Sequence, residues 1–568
     1  MLFKGGKLDT PVPTDTSIFP WLFDHALPTS KFNPGQTGAF IDAKTKEKIP
    51  FTTLKVLATY LSTILAQQYG IKAGSHITIF CSGSVWYPVV VFAVIRLGAI
   101  VTGSSPEYGV DEMKYILEAS ESELVFADNG SWDVVKQAAQ KVALGSNKLV
   151  LLGSEDEVRG QSDKVSIHDL LQQGRSKGEY GQVKPWTLPP GKTNKEFPAF
   201  LSFTSGTTSL PKGVMISHHN IIAQIMQMRS LTAKNCPKVM LAVLPLYHIT
   251  GIVQILQLPL TLNQEVVMMS KFNMQEMLDV IVNFKCDELW MVPPLLIRLV
   301  NDPIAASYTL PDVAQFNTGA APLAKEIIDK LAKRFPHVRI RQAWGMTEST
   351  SAITLTPPSE QTYENADRVG KVVPETIVKI IDPEYEGPGE RILGVGESGE
   401  VLAKGPQITM GYYNRPEATV ESYDKEGYLH TGDIGFMDKD GMLTIHDRLK
   451  EMIKVKGVGV APAELEDLLL GHRLVTDAAV IGIPDDYAGE VPKAFVVLAP
   501  SAKPDAATLK DLLDFVKQRK SRPKWLAGGI EFVDIVPKSA SGKVLRRVLR
   551  DQEKERAKQK KSQSKAKL

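Results

Sequence analysis

The stretch Phe203-Thr-Ser-Gly-Thr-Thr-Ser-Leu-Pro-Lys-Gly213 gathers more phosphate-binding chemistry than any other part of this 568-residue sequence. Thr204, Ser205, Thr207 and Thr208 crowd hydroxyl donors around Gly206, Lys212 adds one ammonium, and Gly213 permits a tight turn. Backbone amides, hydroxyls and a positive charge in one loop suit a triphosphate, whose oxygens accept from several donors at once. A Walker A loop would carry Gly-Lys-Ser/Thr at the opening of a helix. Here Pro211 precedes Lys212 and Gly213 follows it, so the loop is of another kind. The apolar run Ala199-Phe-Leu-Ser-Phe203 feeds the loop and predicts a strand. A second glycine pattern, Gly394-Val-Gly-Glu-Ser-Gly399, matches G-x-G-x-x-G only as text. A strand-like segment follows it, whereas a dinucleotide turn must open a helix.

Further motifs follow in order: Asn317-Thr-Gly-Ala-Ala-Pro-Leu323, Gln342-Ala-Trp-Gly-Met-Thr-Glu348, Tyr428-Leu-His-Thr-Gly-Asp433, the charged run Asp447–Gly457, and Pro537-Lys-Ser-Ala-Ser-Gly-Lys543. Together with the hydroxyl-rich loop they resemble the adenylate-forming superfamily of acyl- and aryl-CoA ligases, firefly-type luciferases and peptide-synthetase adenylation domains. Within it the sequence is most similar to 4-coumarate–CoA ligase-like enzymes, from about residue 20 to about residue 550. The resemblance implies a nucleotide site made of Thr204, Ser205, Gly206, Thr207, Thr208 and Lys212, with Ala320 in the adenine-side loop. Gln342, Ala343, Trp344 and Thr347 would continue it, although the family usually writes Gly-Tyr where Ala343 and Trp344 stand. Glu348 would hold Mg²⁺, which takes hard oxygen ligands. Asp433 would accept from the ribose hydroxyls, and Arg448, Lys450 and Lys454 would serve the nucleotide, Lys450 also as the hinge between domains. Lys271, Lys456 and Gly457 would meet CoA. Gly459 replaces a glutamine common in the 4-coumarate branch.

Lys543 is the expected catalytic lysine. A carboxylate and a triphosphate repel each other, and negative charge grows as oxygen attacks phosphorus, so a positioned ammonium lowers the barrier. His248, in Leu244-Pro-Leu-Tyr-His-Ile-Thr-Gly251, is expected beside the carboxylate as a second catalytic group. Thr250 and Gly251 stand where hydroxycinnamate enzymes carry an aromatic hydroxyl, and their small size suggests a longer or bulkier acyl chain. The expected reaction is ATP-driven formation of acyl-AMP and pyrophosphate, then acyl transfer to CoA, with a carboxylic acid, ATP, Mg²⁺ and CoA as the small-molecule partners. Alternatives are loading of a carrier protein's phosphopantetheine thiol and a luciferase-like oxygenase.

These groups need a scaffold, and the pattern predicts one. Leu54, Leu57, Ala58, Leu61, Ile64 and Leu65 recur at helical spacing, while His76–Cys81, Leu124–Ala127, Lys238–Pro245, Glu265–Met269, Glu288–Val292 and Gln315–Thr318 read as strands. Strands alternating with helices predict an α/β fold whose large N-terminal domain, 1–447, holds covered, mainly parallel sheets. Gly- and Pro-rich turns between Val378–Asp382 and Gly399–Ala403 predict an antiparallel β subdomain at about 370–447. Pro462–Leu470 and Thr508–Lys520 as helices, with Ala478–Ile483 and Ala494–Leu498 as strands, predict a small mobile α+β domain at 448–550.

Composition bounds the rest. The formal net charge is +2, yet residues 551–568 hold seven Lys/Arg against three acids, a net of +4, leaving about −2 for the body. That argues against a nucleic-acid surface on the folded part. Residues 551–568 are expected to be a flexible basic tail, and Ala566-Lys567-Leu568 resembles a peroxisomal address read by an import receptor. The expected location is therefore the peroxisome, otherwise the cytoplasm. Cys81, Cys236 and Cys286 show no metal spacing and fit a reducing compartment. The longest apolar run, Val89–Val101, is interrupted by Arg96 and too short for a bilayer, so no integral membrane segment is expected.

Overall fold

The computed structural model describes residues 1–161, 163–204, 210–321, 323, 325–456, 458–485, 487–539 and 542–565, without the side chains of 557–565. The expected contributions of Ser205, Gly206, Thr207, Thr208, Gly457 and the terminal Ala566-Lys567-Leu568 lie outside the described residues. Four sheets form among those described.

In the first sheet the order is Leu149–Leu151, Leu124–Ala127, His76–Phe80, Ile100–Ser104, Pro198–Thr204, Lys212–Ser217. All pairs are parallel except the last, a hairpin with Thr204 opposite Lys212. The helix Tyr87–Arg96 beside it is buried along its whole length, as a continuous apolar run should be. Arg96 is accommodated because its guanidinium donates to Ser62 Oγ and the Val183 carbonyl. No helix among the described residues is long and apolar enough to cross a membrane.

The second sheet is parallel through its centre, from Ala39–Asp42 through Glu265–Met268, Val239–Ala242, Glu288–Trp290 and Gln315–Thr318 to Arg339–Met346. Antiparallel strands close both its edges. A carboxylate sits inside it: Glu288 accepts from Gln264 Nε2 (2.7 Å), Asn317 Nδ2 (2.7 Å) and Trp290 Nε1 (3.2 Å). Those bonds lock the strand Gln315–Thr318 from which the Asn317–Leu323 loop departs.

The third sheet is antiparallel, ordered Leu2–Lys4, Ile377–Ile381, Gly399–Lys404, Leu429–Met437, Leu443–Arg448. The β subdomain thus recruits the first strand of the chain, Phe3 standing opposite Val378, which the boundary at about 370 did not anticipate. The Gly394–Gly399 segment turns into the strand Gly399–Lys404 and opens no helix, which excludes the dinucleotide reading. The fourth sheet, built around the long hairpin Val475–Asp485 and Gly489–Leu498, carries the helices Pro462–Leu470 and Ala506–Arg519. Residues 551–565 are helical. The helix Arg546–Lys565 runs through them, its early turns fixed by buried Leu549 and by Arg556 paired with Glu531 and Glu553.

Candidate active site

Asp433 lies at the centre of the gathered residues. Along Leu429–Met437 burial alternates, with Leu429, Thr431, Asp433, Gly435 and Met437 inward, so the strand's period of two turns the carboxylate into the protein. Hairpin register sets Arg448 directly opposite. Arg448 Nε stands 3.2 Å from Asp433 Oδ1, and Trp344 Nε1 donates to Oδ2 at 2.8 Å. Among the described residues Oδ1 still accepts no hydrogen bond. Burial pushes the Asp433 carboxyl up, against the lowering effect of Arg448, Trp344 and Lys543. An acceptor oxygen left open in a buried place is costly unless something else fills it.

Lys543 reaches this cluster from the far end of the chain. The turn carrying it is closed by Ser539 N donating to the Lys543 carbonyl at 2.8 Å, and Lys538 bridges Val544. The turn rests on the large domain: a Cβ on Gly542 would lie 3.2 Å from Val292 and Pro294. Burial, then the neighbouring Arg448, lower the ammonium to about 8, while Asp433 and Glu451 oppose the fall.

Two of the segments singled out in the sequence lie against each other. Gly319 packs so closely on Ala343 that a Cβ would stand 2.6 Å from the Ala343 carbonyl oxygen, and Ala320 adopts a left-handed φ of 70°. Such a backbone is uncommon for a residue with a side chain and marks a constrained loop. Gln342 is buried and donates to the Ala366 carbonyl, leaving its Oε1 open among the described residues. Trp344, expected in the nucleotide site, is buried. Its ring packs in the β-subdomain core with Ile353, Val378, Val401, Met437 and Leu443, and what it offers the site is the indole N–H.

Thr347 and Glu348 sit on a single 3₁₀ turn, Thr347–Ser349. Glu348 Oε1 accepts from Tyr412 Oη at 2.7 Å. Tyr412 was not foreseen. It lies on a strap antiparallel to Lys212–Ser217, where Met215 N donates to the Gly411 carbonyl and Tyr413 N to the Gly213 carbonyl. Lys212 Nζ stands 5.1 Å from the Tyr412 ring centroid. The strap is held by Asn220, whose Nδ2 donates to the carbonyls of Pro406 and Ile408 while its Oδ1 caps with Ser217. A cap of this kind is worth about 1 kcal/mol. Burial, then the Glu348 charge, push the Tyr412 phenol up, so it donates to Glu348 throughout the neutral range. One Glu348 oxygen is thereby fixed and the other left for a hard cation such as Mg²⁺, whose remaining ligands would be phosphate and water. At the rim, Thr204 Oγ1 donates to the Lys212 carbonyl at 3.5 Å.

His248 sits before the π-helical turn Gly251–Ile255, its ring tilted against that of Tyr247 with centroids 4.6 Å apart. Burial pushes its imidazole down to about 4, and its Nε2 has no partner among the described residues. It is therefore a neutral, unsatisfied polar group. Thr250 stands just before the turn and is half-buried. Gly251 requires a correction: a Cβ there would lie 2.3 Å from the Pro245 carbonyl oxygen and 2.6 Å from Leu246 Cα. Its smallness serves a close backbone crossing and opens no acyl space.

The remaining lysines of the expected site are exposed. Lys450 is exposed in the turn after Arg448, where Met452 N donates to the Arg448 carbonyl. Lys454 pairs with Glu384 at 3.6 Å on the surface, and Lys456 Nζ lies 3.9 Å from the Tyr487 ring centroid. Lys271 is exposed after the strand Glu265–Met268.

Comparison with known proteins agrees with this geometry. The AMP-binding enzyme family model matches residues 30–413, and the AMP-binding enzyme C-terminal domain matches 464–543. The chain is 34% identical to peroxisomal OPC-8:0-CoA ligase 1 of Arabidopsis thaliana over 516 residues, 90% of each protein. It is 33% identical to a probable 4-coumarate–CoA ligase 1 of Dictyostelium discoideum over 494 residues, covering 85% of this chain and 86% of that one. The ATP-bound crystal structure of MatB from Rhodopseudomonas palustris superposes with a TM-score of 0.80 at 25% identity, covering 94% of this chain and 98% of that one.

Proposed function

Since the chain belongs to the AMP-binding enzyme family, we propose that it is an ATP-dependent acid–CoA ligase that makes an acyl-AMP and then a thioester. In the first half-reaction a carboxylate oxygen attacks the α-phosphorus of ATP, forming the acyl–phosphate bond as pyrophosphate leaves. In the second, the CoA thiol displaces AMP from the acyl carbon. The observation that carries the reading is the approach of Lys543, from the far end of the chain, to Arg448 and the open Oδ1 of Asp433, which face each other on one hairpin.

Each residue has a distinct task in this account. Asp433 Oδ1 accepts from a ribose hydroxyl. Arg448 and Lys543 offset the charge of the phosphates and the attacking carboxylate, and removing one such group costs about 10²–10³ in rate. Neutral His248 offers a polar ring nitrogen beside the carboxylate without adding charge. The loop from Thr204 to Lys212, with Ala320, Ala343 and Thr347, lines the nucleotide. Bound Mg²⁺ at Glu348 would neutralise triphosphate charge. Lys454, Lys456 and Lys271 are exposed and are left for the thiol half-reaction, which a turn of the small domain about Lys450 would bring into play.

The test is a pyrophosphate-release screen over fatty, aryl and hydroxy acids. The reading predicts release with ATP and one class of acid, and AMP plus thioester only once CoA is added. No release with any acid would contradict it. A peroxisomal location is the companion proposal, supported by the name of the Arabidopsis relative and by Ala566-Lys567-Leu568. A fluorescent fusion that keeps the terminal Leu568 free and stays diffuse in the cytosol would refute it.

A further inference from the structure

We infer that Trp344 is a positioning residue, whose indole N–H holds the Asp433 carboxylate so that Oδ1 is presented to the ribose. The inference rests on the ribose reading above and adds what keeps that carboxylate in place. A carboxylate on an inward strand position must satisfy two oxygens or pay for desolvation. Trp344 Nε1 takes Oδ2 at 2.8 Å, Thr431 Oγ1 accepts from the Asp433 backbone N–H at 3.1 Å, and Arg448 flanks Oδ1. The carboxyl plane is thus fixed by a donor on a different strand, leaving one named oxygen to receive a ligand.

The packing explains why this donor can aim. Trp344 is 8% exposed and its ring is wedged among Ile353, Val378, Val401, Met437 and Leu443, so the indole cannot swing. It sits where the strand register shifts between Trp344 and Gly345, and an irregularity of this kind can turn a side chain in a new direction. A phenylalanine would fill the same apolar space and leave Oδ2 bare. Asp433 would then be freer to rotate and easier to protonate, and both changes weaken its grip on a hydroxyl.

The experiment replaces Trp344 with Phe and, in parallel, with benzothienylalanine, which keeps the indole shape and exchanges N–H for sulfur. Expected in both is a rise of about tenfold in KM for ATP with kcat little changed, from loss of a hydrogen bond to a charged group. The preference for ATP over 2′-deoxy- and 3′-deoxy-ATP should shrink, and the acid limb of kcat/KM should move to higher pH. In an Asp433→Ala background the replacements should add nothing. A lower Tm with unchanged ribose preference would make Trp344 merely structural and overturn the proposal. If Asp433→Ala itself leaves the ribose preference intact, the ribose reading falls and takes the proposal with it. If Asp433→Ala abolishes the preference while benzothienylalanine does not alter it, the proposal alone is wrong.

Discussion

Two buried carboxylates, Asp433 and Glu466, are equally hidden yet differently furnished. Glu466 takes two hydrogen bonds from Arg546, one at 2.7 Å and one at 3.3 Å, and a third from Val480 N at 2.7 Å. None of its oxygens is open, and Arg546 is held cationic by Glu466 and by the nearby Asp447 and Glu451. Asp433 has a comparable cation in Arg448 and a good donor in Trp344, but keeps one oxygen without a hydrogen bond. The saturated pair locks the terminal helix to the small domain. The unsaturated one is a socket. Burial alone does not separate structure from function; the unspent acceptor does.

Substitutions can break that contrast, beginning with the largest effect. Glu466→Ala takes from buried Arg546 its two hydrogen bonds to a carboxylate, leaving Glu451 at 3.9 Å as its ion-pair partner, and should cost about 3 kcal/mol of stability in denaturant titration. Asp433→Ala should leave Tm nearly unchanged, yet raise KM for ATP by about 10²-fold in pyrophosphate-release assays, since it removes a charged acceptor. If the two variants lost stability equally, the distinction between lock and socket would be void.

Tyr412→Phe should come next. It frees Glu348 Oε1 and should weaken Mg²⁺ activation about tenfold, the range expected when a hydrogen bond to a charged group is lost. An unchanged Mg²⁺ titration would show that the phenol does not position the carboxylate. The smallest effect is a pH limb. Lys543 is lowered to about 8, so its ammonium loses charge as pH rises through that value. The ATP-dependent kcat/KM, which reports the free enzyme, should fall above about pH 8, and Lys543→Arg should flatten that limb.

Much of the scaffold could be read from the residues. The helix Pro462–Leu470 begins at its proline and the strand Leu124–Ala127 spans its apolar run, because local propensity and burial agree there. The strand Leu2–Lys4 could not be read, since three residues carry no period and only Ile377–Ile381 makes them a strand. Helix Arg546–Lys565 looked like a solvated tail because its charges hide the pattern, while ion pairs to Glu466, Glu451 and Glu531 anchor its first turns. For the site, motif order located Asp433, Arg448 and Lys543, and the inward alternation of Leu429–Met437 adds an independent signal for Asp433. The donor role of Trp344 and the support of Glu348 by Tyr412 depend on packing between strands far apart in sequence. Gly251 was misread because a missing side chain looks the same whether it makes room for a ligand or for a backbone.

The central claim is that Lys543 serves the first half-reaction and not the second, and one substitution separates the two. In Lys543→Ala, pyrophosphate release from ATP and the cognate acid should fall by about 10²–10³-fold, while synthetic acyl-AMP plus CoA should still yield thioester near the unsubstituted rate. Equal loss in both assays, or retention of both, would contradict the account.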